Sequence, residues 1–347
     1  MIMLMKKPTI NDVARAANVS KRTVSRVLND SASVGEETRK LIQKIIADLN
    51  YQPDKQARGL ASSRSYFIGI IYDNPDALYI DQVQRGLLDV CSRQGYELVV
   101  HPCKYDSPTL VEDCLAFVSR SKLDGVIVLP PVSESKVLAA ALRDEGTPYV
   151  RMASLDLDDH TNIVVSDDRT GVRQMAAHLV GLGHRDIGFI TGPMHYHSST
   201  ERFEGFCGAL KDLGLPIPEG RIKHGKNNYQ SGLECARTLL AGEGRPTAIF
   251  ANTDEMAAAV LKVAHELGIK VPEELSVCGF DDNILASRII PALTTIRRPV
   301  TDMAGLAAQK IISAIENKDE KTTRVNYIVQ PSLIIRDSTS QRLGTEQ

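Results

Sequence analysis

The chain of 347 residues is long enough for two or three domains with separate hydrophobic cores. Residues 1–65 carry twelve Lys and Arg against six Asp and Glu, leaving 29 of the 41 basic and 37 of the 43 acidic residues to the rest. This distribution indicates that the N-terminal segment contacts a polyanion and the body does not. No apolar run is long enough to span a membrane, and the six cysteines lack metal-ligand spacing.

The first seven residues, M-I-M-L-M-K-K, place apolar residues before basic ones, the reverse of a signal peptide. We therefore expect a cytoplasmic protein whose buried or half-buried cysteines stay reduced. We also expect natural translation to begin at Met3 or Met5.

Residues 9–28 predict two short helices joined by a tight turn. Apolar residues recur at helical spacing on both sides of Asn18-Val19-Ser20, which is too short for anything but a turn. Thr9 and Ser20 are suitable N-caps, because a hydroxyl can accept a hydrogen bond from an orphan amide of the first turn. The spacing predicts a helix-turn-helix, with a simple amphipathic hairpin as the alternative.

Basic and polar residues occupy the outward face of the second helix. Arginine pairs bidentately with guanine, and the N-terminal residues of such a helix lead into the major groove. We predict that the DNA contacts of this unit are Thr9, Lys21, Arg22, Thr23, Ser25, Arg26 and Asn29.

A third helix is predicted over Gly35–Asn50, with an apolar stripe of Leu41, Ile42, Ile45, Ile46 and Leu49. Residues 1–52 then form a small DNA-binding head, and residues 53–65 form a hinge. A hinge helix over Lys55–Ala61 would be marginal in isolation, since it is short and contains Gly59. The segment is either a helix that forms only beside a partner chain and DNA, or a plain linker.

The string V-S-x-x-T-V-S-R-V-L-N at Val19–Asn29, followed by Tyr51 and Pro53, resembles the lactose-repressor/galactose-repressor family of bacterial regulators. The resemblance covers nearly the whole chain. It implies a homodimer whose recognition helices bind half-sites of a pseudo-palindromic operator, and whose paired hinge helices occupy the central minor groove. Leu60 matches the leucine that wedges between the central base pairs. The hinge contacts that this implies are Lys55, Ala57, Arg58, Leu60 and Ala61.

From Tyr66 to about Arg336, apolar runs alternate with helical stretches, a pattern typical of parallel sheets. The predicted strands are Phe67–Tyr72, Glu97–Val100, Gly125–Leu129, Tyr149–Arg151, Ile187–Thr191, Ala248–Ala251 and Ser276–Phe280. The predicted helices include Tyr79–Gln94, Leu110–Arg120, Gly171–Gly181 and Thr253–Gly268. The fold class is therefore α/β: a small all-α head and a two-lobed, doubly wound parallel-sheet body, with the strands at Ile68 and Ile187 in corresponding positions.

The family resemblance implies a body similar to the periplasmic sugar-binding proteins, with three crossovers between the lobes. We place these near Val165, Thr295 and Tyr327, so that the chain returns to the first lobe for Thr301–Asn317. The effector-binding and dimerisation domain is then 66–338. Its first lobe is 66–165 and 296–326, its second lobe is 166–295 and 327–338, and 339–347 is a tail. Because the tail lacks a leucine heptad, we expect a dimer and not a tetramer.

Polar side chains at predicted strand ends and in neighbouring segments supply a binding site, since ligands of open α/β sheets lie at the carboxyl ends of strands. Carboxylates, amides and arginine hold hydroxyl groups by paired hydrogen bonds, which suits a sugar. The candidate effector contacts are Asp73, Tyr79, Ser198, Arg202, Asn252, Asp254 and Asp281. By resemblance, Arg202, Asn252 and Asp281 match regular ligand contacts of the family.

Four of these candidates also have a structural alternative. Asp254 and Asp281 are suitable helix caps, Arg202 is a candidate surface ion pair, and Tyr79 is a candidate packing residue. The sequence also departs from the family after the strand at Tyr149, where Arg151-Met152-Ala153-Ser154 replaces a ligand-contacting aspartate. A cation at this place is compatible with an oligosaccharide or an acidic sugar.

These features predict an allosteric, sugar-controlled transcriptional regulator that represses a carbohydrate-use operon. A purine or nucleoside effector and a protein co-repressor remain alternatives within the same function, and a sugar-transport protein is a further one. No nucleophile–base pair, phosphate-binding loop or dinucleotide fingerprint occurs, so we expect no enzyme and no cofactor. His195 and His197 lack further metal-ligand spacing, so we expect loop histidines and no metal.

Overall fold

The chain divides into two compact units, Met1–Tyr66 and Phe67–Gln347. A computed structural model describes residues 8–28, 33–51, 64–73, 76–242, 244–316 and 327–342. The division of the first unit into head and hinge stays a prediction, because 52–63 lies outside these residues.

The first unit contains three helices, α1 (Ile10–Ala16), α2 (Lys21–Leu28) and α3 (Glu36–Asp48). Ser20 begins α2 as predicted: its hydroxyl oxygen accepts a hydrogen bond from the Thr23 amide at 3.1 Å. Asn18 has a φ of 50°, a left-handed conformation that asparagine tolerates in tight turns. The predicted helix-turn-helix is confirmed.

The core of this unit lies between the three helices, where Val13, Val24 and Ile42 are fully buried. The apolar stripe predicted for α3 is partly wrong, because Leu41 and Leu49 are 48% and 37% exposed. A core this small covers only one narrow face of α3.

The second unit contains twelve strands and eight α-helices among its described residues. The strands are β1 (Phe67–Tyr72), β2 (Glu97–Pro102), β3 (Gly125–Val128), β4 (Tyr149–Ala153), β5 (Ile163–Ser166), β6 (Ile187–Thr191), β7 (Ile222–His224), β8 (Ala248–Ala251), β9 (Ser276–Asp281), β10 (Thr294–Arg297), β11 (Ile328–Val329) and β12 (Ser332–Ile334). The helices are α4 (Ala77–Gln94), α5 (Leu110–Ser121), α6 (Lys136–Asp144), α7 (Asp168–Gly181), α8 (His197–Asp212), α9 (Tyr229–Leu240), α10 (Asp254–Glu266) and α11 (Val300–Ile315).

Two six-stranded sheets of the same design form the two lobes. Their strand orders are β11-β5-β4-β3-β1-β2 and β12-β10-β9-β8-β6-β7, so β1 and β6 occupy corresponding positions, as predicted. All pairs are parallel except β10 with β12. Ile249 and Phe250 of β8 belong to separate buried clusters on opposite faces of the second sheet. Both faces are therefore covered, which explains the nearly continuous apolar runs.

All seven predicted strands exist, with small differences at their ends. The five strands that were not predicted, β5, β7, β10, β11 and β12, are two to four residues long. Runs of that length carry too little periodicity to be distinguished from loops.

Three lobe assignments at the crossovers are wrong. Ser166 was assigned to the second lobe, but it is the last residue of β5 in the first. Ile296 and Arg297 were assigned to the first lobe, but β10 pairs with β9 of the second. Ile328 and Val329 were assigned to the second lobe, but β11 pairs with β5 of the first. The chain crosses to the other lobe only after each short strand has paired with its own sheet. The predicted return to the first lobe is confirmed by α11, which packs against α4.

The segment from Thr339 to Arg342 is not a separate tail. The Thr339 hydroxyl lies 3.0 Å from the Thr294 hydroxyl, and the Arg342 amide donates to the Leu182 carbonyl at 2.8 Å. Hydrogen bonds to polar groups, and not apolar periodicity, attach this segment to the second lobe.

Gly86 provides a test of the packing of α4 on α11. A Cβ atom at Gly86 would lie 2.2 Å from the Thr301 carbonyl oxygen, so Gly86→Ala should lower the free energy of unfolding by about 3 kcal/mol. Gly208 on α8 has no atom within 4 Å of such a Cβ, so Gly208→Ala should raise it by about 0.5–1 kcal/mol. Urea unfolding measures both, and similar effects of the two changes would contradict the tight contact at Gly86.

Candidate functional site

The outward face of α2 carries the predicted DNA contacts. Lys21, Arg22 and Arg26 are exposed and make no ion pair with another described residue, whereas Val24 and Val27 point into the core. Such a face presents uncompensated positive charge to solvent.

Local hydrogen bonds place two of the three further candidates on this unit, Thr9 and Thr23. Thr9 donates to the Asp12 carboxylate from its amide at 2.9 Å and from its hydroxyl at 2.7 Å. The Thr23 hydroxyl shares a hydrogen bond with the Ser20 hydroxyl, and Ser25 is half-buried. The remaining predicted contacts lie outside the described residues: Asn29, Lys55, Ala57, Arg58, Leu60 and Ala61.

A cavity of about 110 Å³ lies between the lobes, at the carboxyl ends of their strands. It is lined by Asp73, Asp76, Tyr79, Pro130, Pro131, Tyr196, Ser198, Arg202, Lys226, Asn227, Thr253, Asp281 and Arg298. Five of the seven predicted effector contacts are therefore brought together here: Asp73, Tyr79, Ser198, Arg202 and Asp281.

Arg202 on α8 forms the floor of this cavity. Its Nε donates to Asp168 Oδ2 at 3.0 Å and its Nη1 donates to the Asn252 carbonyl at 2.7 Å. Its guanidinium carbon lies 3.6 Å from the centre of the Phe280 ring. Arg202 is only 4% exposed, so it is not the surface ion pair considered from the sequence.

Asp168, the first residue of α7, is the fully buried centre of the charge cluster. It accepts hydrogen bonds from the Ser154 hydroxyl at 3.0 Å and the Ser166 hydroxyl at 2.6 Å, both in the first lobe. Arg298 from the second crossover approaches it to 3.7 Å. Asp168 thus joins the two lobes and the connection between them.

The pKa values of the two carboxylates in the cluster are shifted in opposite directions. Burial alone would raise the pKa of Asp168, but Arg202, Arg298 and the Ser166 hydroxyl hold this pKa below its usual value. Burial raises the pKa of Asp281 to about 6, although Arg202 and Arg298 act to lower it. Asp281 also has a backbone φ of 111°, which costs a non-glycine residue about 1–3 kcal/mol and is typical of functional sites.

Two predicted contacts lie behind the cavity lining. Asp254 is fully buried and accepts hydrogen bonds from the Thr295 hydroxyl at 2.5 Å and the Asn283 amide at 2.9 Å. It holds the segments around β9 and β10 together and does not face the cavity, contrary to the prediction. Asn252 donates from Nδ2 to Asn227 at 2.8 Å and so supports a lining residue from behind.

Arg151 does not supply the cation expected from the sequence. It donates from Nε to the Ser133 carbonyl at 2.6 Å and from Nη1 to Asp158 at 3.1 Å, inside the first lobe. The cation of the site is instead Arg298, which lies 5.2 Å over the Tyr79 ring and 3.9 Å from Asp281. Arg298 directly follows β10, so recognition of this short strand would have placed it at a strand end.

Two contacts close the lobes against each other beside the cavity. Glu134 of the first lobe accepts hydrogen bonds from the His197 and Ser198 amides of α8 at 2.9 and 3.4 Å. The Tyr105 and Tyr196 rings meet edge to face, with their centres 6.0 Å apart. The N-terminus of α8 therefore receives its negative charge from the opposite lobe.

Two buried polar atoms of the cavity lining, Asp281 Oδ1 and Arg298 Nε, have no hydrogen-bond partner among the described residues. The same holds for Ser199 Oγ and Asn252 Oδ1, which belong to residues outside the lining. Unsatisfied buried groups are costly, and a cluster of donors and acceptors of this kind is suited to a polar ligand. The described residues contain neither a cluster of three metal-ligating side chains nor a helix suited to span a membrane.

The raised pKa of Asp281 predicts a pH-dependent stability. Because the pKa is about 6 in the folded chain and about 3.9 in the unfolded chain, protonation favours the folded state. The stabilisation is complete below about pH 4 and is lost as the pH rises through 6. From pH 4 to 7, the unfolding free energy of the wild type should fall by about 2–3 kcal/mol relative to Asp281→Asn.

Urea unfolding at a series of pH values measures this difference. The matched control is Asp144→Asn, at an exposed carboxylate that ends α6. A difference between wild type and Asp281→Asn that does not vary with pH would contradict the raised pKa.

Comparison with known proteins covers both units. Residues 9–54 match the bacterial regulatory proteins of the lacI family, and residues 176–339 match the periplasmic binding protein-like domain. The transcriptional repressor PurR of Pasteurella multocida is 32% identical over 96% of this chain and 99% of its own.

Two solved structures are similar over nearly the whole length. The Lac repressor dimer bound to operator and the anti-inducer ONPF has a TM-score of 0.76 at 26% identity, over 96% of this chain and 100% of that one. The regulator CelR in complex with cellobiose has a TM-score of 0.71 at 28% identity, over 95% and 99%. With this agreement of head, lobes and sequence, the chain belongs to the lacI family of bacterial regulatory proteins and is a DNA-binding transcriptional regulator.

Proposed function

We propose that this regulator is a cytoplasmic homodimer that represses carbohydrate-use genes and is controlled by a neutral, hydroxyl-rich sugar bound between its lobes. The observation that carries the proposal is a donor and an acceptor in the cavity lining, Arg298 Nε and Asp281 Oδ1, that make no hydrogen bond although their charges face each other. Hydroxyl groups both donate and accept, so a sugar satisfies such a mixed set.

The charge of the cavity favours a neutral ligand over an acidic one. The three acidic lining residues, Asp73, Asp76 and Asp281, balance the basic Arg202, Lys226 and Arg298. Both buried guanidinium groups already face carboxylates within 4 Å. A hexuronate would therefore bring a buried negative charge to a site with no free buried cation.

The aromatic groups favour a sugar over a purine. Arg202 covers one face of Phe280, and Arg298 lies over Tyr79. Phe280 is fully buried outside the cavity lining, and Arg298 occupies a face of Tyr79, so neither of these rings is free to stack on a nucleobase. The complex of CelR with cellobiose supports a sugar, whereas the similarity to PurR keeps the purine as the second candidate.

Operator binding is assigned to α2 of each protomer. Lys21, Arg22 and Arg26 would enter the major groove, and the Lac repressor dimer on its operator supports two such helices per complex. Ligand binding would change the angle between the lobes, because the Asp168 cluster and the Glu134 contact both join them. A coupling of about 3 kcal/mol would change operator affinity roughly a hundredfold.

Substitutions on α2 test the DNA contacts. Arg22→Ala or Arg26→Ala should each weaken operator binding by about 1–3 kcal/mol and relax specificity at one base pair, if the side chain contacts a base. Fluorescence anisotropy at fixed salt, with a fragment from upstream of the protein's own gene and a random fragment, measures both effects. Lys40→Ala, at an exposed lysine on α3, should change neither operator affinity nor specificity. An equal loss on both fragments would assign the arginine to the phosphate backbone.

Substitution of Arg298 tests the effector. Arg298→Gln should weaken binding of a neutral sugar such as cellobiose by about 10–100-fold, because hydrogen bonds to charged groups are worth about 1.5–3 kcal/mol. Operator affinity without ligand should persist. Isothermal titration calorimetry with cellobiose, galacturonate and adenine, together with operator anisotropy, measures both properties.

The matched control is Arg237→Gln, an exposed arginine on α9 that should bind the sugar as the wild type does. Binding of adenine or galacturonate, with no neutral sugar of a wider panel bound, would overturn the proposed effector class and leave the regulator assignment intact.

A further inference from the structure

The first turn of α8 has no side-chain acceptor of its own. Its N-cap residue, Tyr196, makes no side-chain cap hydrogen bond, and the turn contains no acidic residue. The first amides of a helix have no partner within the helix, so they need an acceptor from elsewhere. Glu134 of the first lobe supplies it, because its carboxylate accepts hydrogen bonds from the His197 and Ser198 amides at 2.9 and 3.4 Å. A residue of one lobe thus caps a helix of the other.

Glu134 is held in place by its own lobe. It ends a short 3-10 helix, Val132–Glu134, that lies between β3 and α6, and it is only 7% exposed. Arg151 of β4 donates from Nε to the Ser133 carbonyl at 2.6 Å, and the Ser133 hydroxyl donates to the Met152 carbonyl at 2.7 Å. This turn presents the carboxylate to the second lobe with little side-chain freedom left to lose. Arg151 is therefore a positioning residue for Glu134.

A second contact between the lobes lies at the same edge of the cavity. The Tyr196 ring meets the Tyr105 ring of the first lobe edge to face, with their centres 6.0 Å apart. The Tyr105 amide donates to the Asp73 carboxylate at 2.7 Å, and both Asp73 and Tyr196 line the cavity. We call the contacts of Glu134 and Tyr105 with the start of α8 the latch.

The latch is separate from the segments that connect the lobes. The chain crosses between the lobes after β5, after β10, and between β11 and β12, and no latch residue lies in these three segments. Hinge motions concentrate the change of backbone angles in a few connecting residues. Rotation about the crossovers can therefore separate the lobes at the latch without unfolding either of them.

The size of the cavity indicates that the latch must break for a larger ligand. The cavity measures about 110 Å³, whereas ligand pockets typically measure about 300–1,000 Å³. Ser198 both lines the cavity and donates its amide to Glu134, so a ligand that displaces this residue also strains the latch. Because the latch consists of protein groups alone, it needs no ligand to form.

We propose that the latch holds the lobes closed before the effector binds, and that the effector controls the protein by opening them. The first part concerns the protein alone, and the second rests on the proposed function. A protein whose binding-competent state is a minor one binds its ligand more weakly by the fraction of competent molecules. The strength of the latch therefore determines how much effector is needed.

Hydroxyl-radical footprinting of the full-length protein without added ligand tests the latch. Tyr79 lines the cavity and is 5% exposed, so opening should increase the oxidation of its ring. Glu134→Ala should raise the ratio of open to closed molecules by about 2–30-fold, the equilibrium effect of a lost N-cap, and Tyr79 oxidation at least about twofold. Tyr96, a buried residue outside the cavity lining, should stay protected, which distinguishes opening from general unfolding.

Ser135→Ala is the matched control. Ser135 follows Glu134 in the chain and caps α6 within the first lobe, by accepting a hydrogen bond from the Leu138 amide at 3.2 Å. Its loss should leave Tyr79 protected. Glu134→Gln, which keeps one acceptor oxygen, should fall between the wild type and Glu134→Ala, and it replaces the alanine variant if that variant does not fold. Unchanged Tyr79 oxidation in both Glu134 variants, or an equal increase in Ser135→Ala, would overturn the latch.

Calorimetric titration with cellobiose separates the latch from the proposed function. If the effector opens the lobes, Glu134→Ala should bind cellobiose about 2–30-fold more tightly than the wild type, and Ser135→Ala should bind it as the wild type does. Weaker binding by Glu134→Ala would show that the ligand closes the lobes, and would overturn control by opening. If neither cellobiose nor any sugar of a wider panel bound, the proposed function and opening by an effector would both fail. Tyr79 oxidation would still decide whether the latch exists.

Discussion

The arrangement of the two lobes depends on one buried carboxylate, that of Asp168. An isolated charge in a protein interior is very costly, so it persists only with full hydrogen bonding and a paired cation. Asp168 obtains its hydroxyl partners from Ser154 and Ser166 in the first lobe and its cation from Arg202 in the second. Neither lobe alone satisfies this group, so its solvation couples the position of one lobe to the other.

The same cluster determines which ligands suit the cavity. Asp168 has direct hydrogen bonds and a lowered pKa, whereas Asp281 has only the longer approaches of Arg202 and Arg298, at 3.6 and 3.9 Å, and a raised pKa. The weaker pairing leaves an Asp281 oxygen and the Arg298 Nε without hydrogen bonds. The site thus offers directed donors and acceptors but little net charge, so in the proposed function hydrogen-bond geometry would distinguish its ligands.

The sequence predicts the elements of this fold better than it predicts the site. The spacing of Val24 and Val27 is sufficient for α2, because a short helix with one apolar face has few alternatives. Arg298 could not be found in this way, since it follows a four-residue strand whose sheet partners are distant in the chain. Asp254 lies near a strand end, as the sequence predicts. Its hydrogen bonds from the Thr295 hydroxyl and the Asn283 amide nevertheless hold it behind the cavity lining. Which strand-end residues face the cavity is a tertiary property.

Arginine has opposite roles in the two units, and burial decides which one. Arg22 and Arg26 are exposed and have no carboxylate partner in the described part of their unit, so their charge is available to a polyanion. Arg202 and Arg298 are buried against Asp168 and Asp281, so their charge is already compensated and they act as hydrogen-bond donors in fixed positions. A phosphate backbone attracts the first pair at long range, whereas only a ligand of matching geometry benefits from the second. In the proposed function, one residue type would thereby serve DNA binding in one unit and stereospecific recognition of a small molecule in the other.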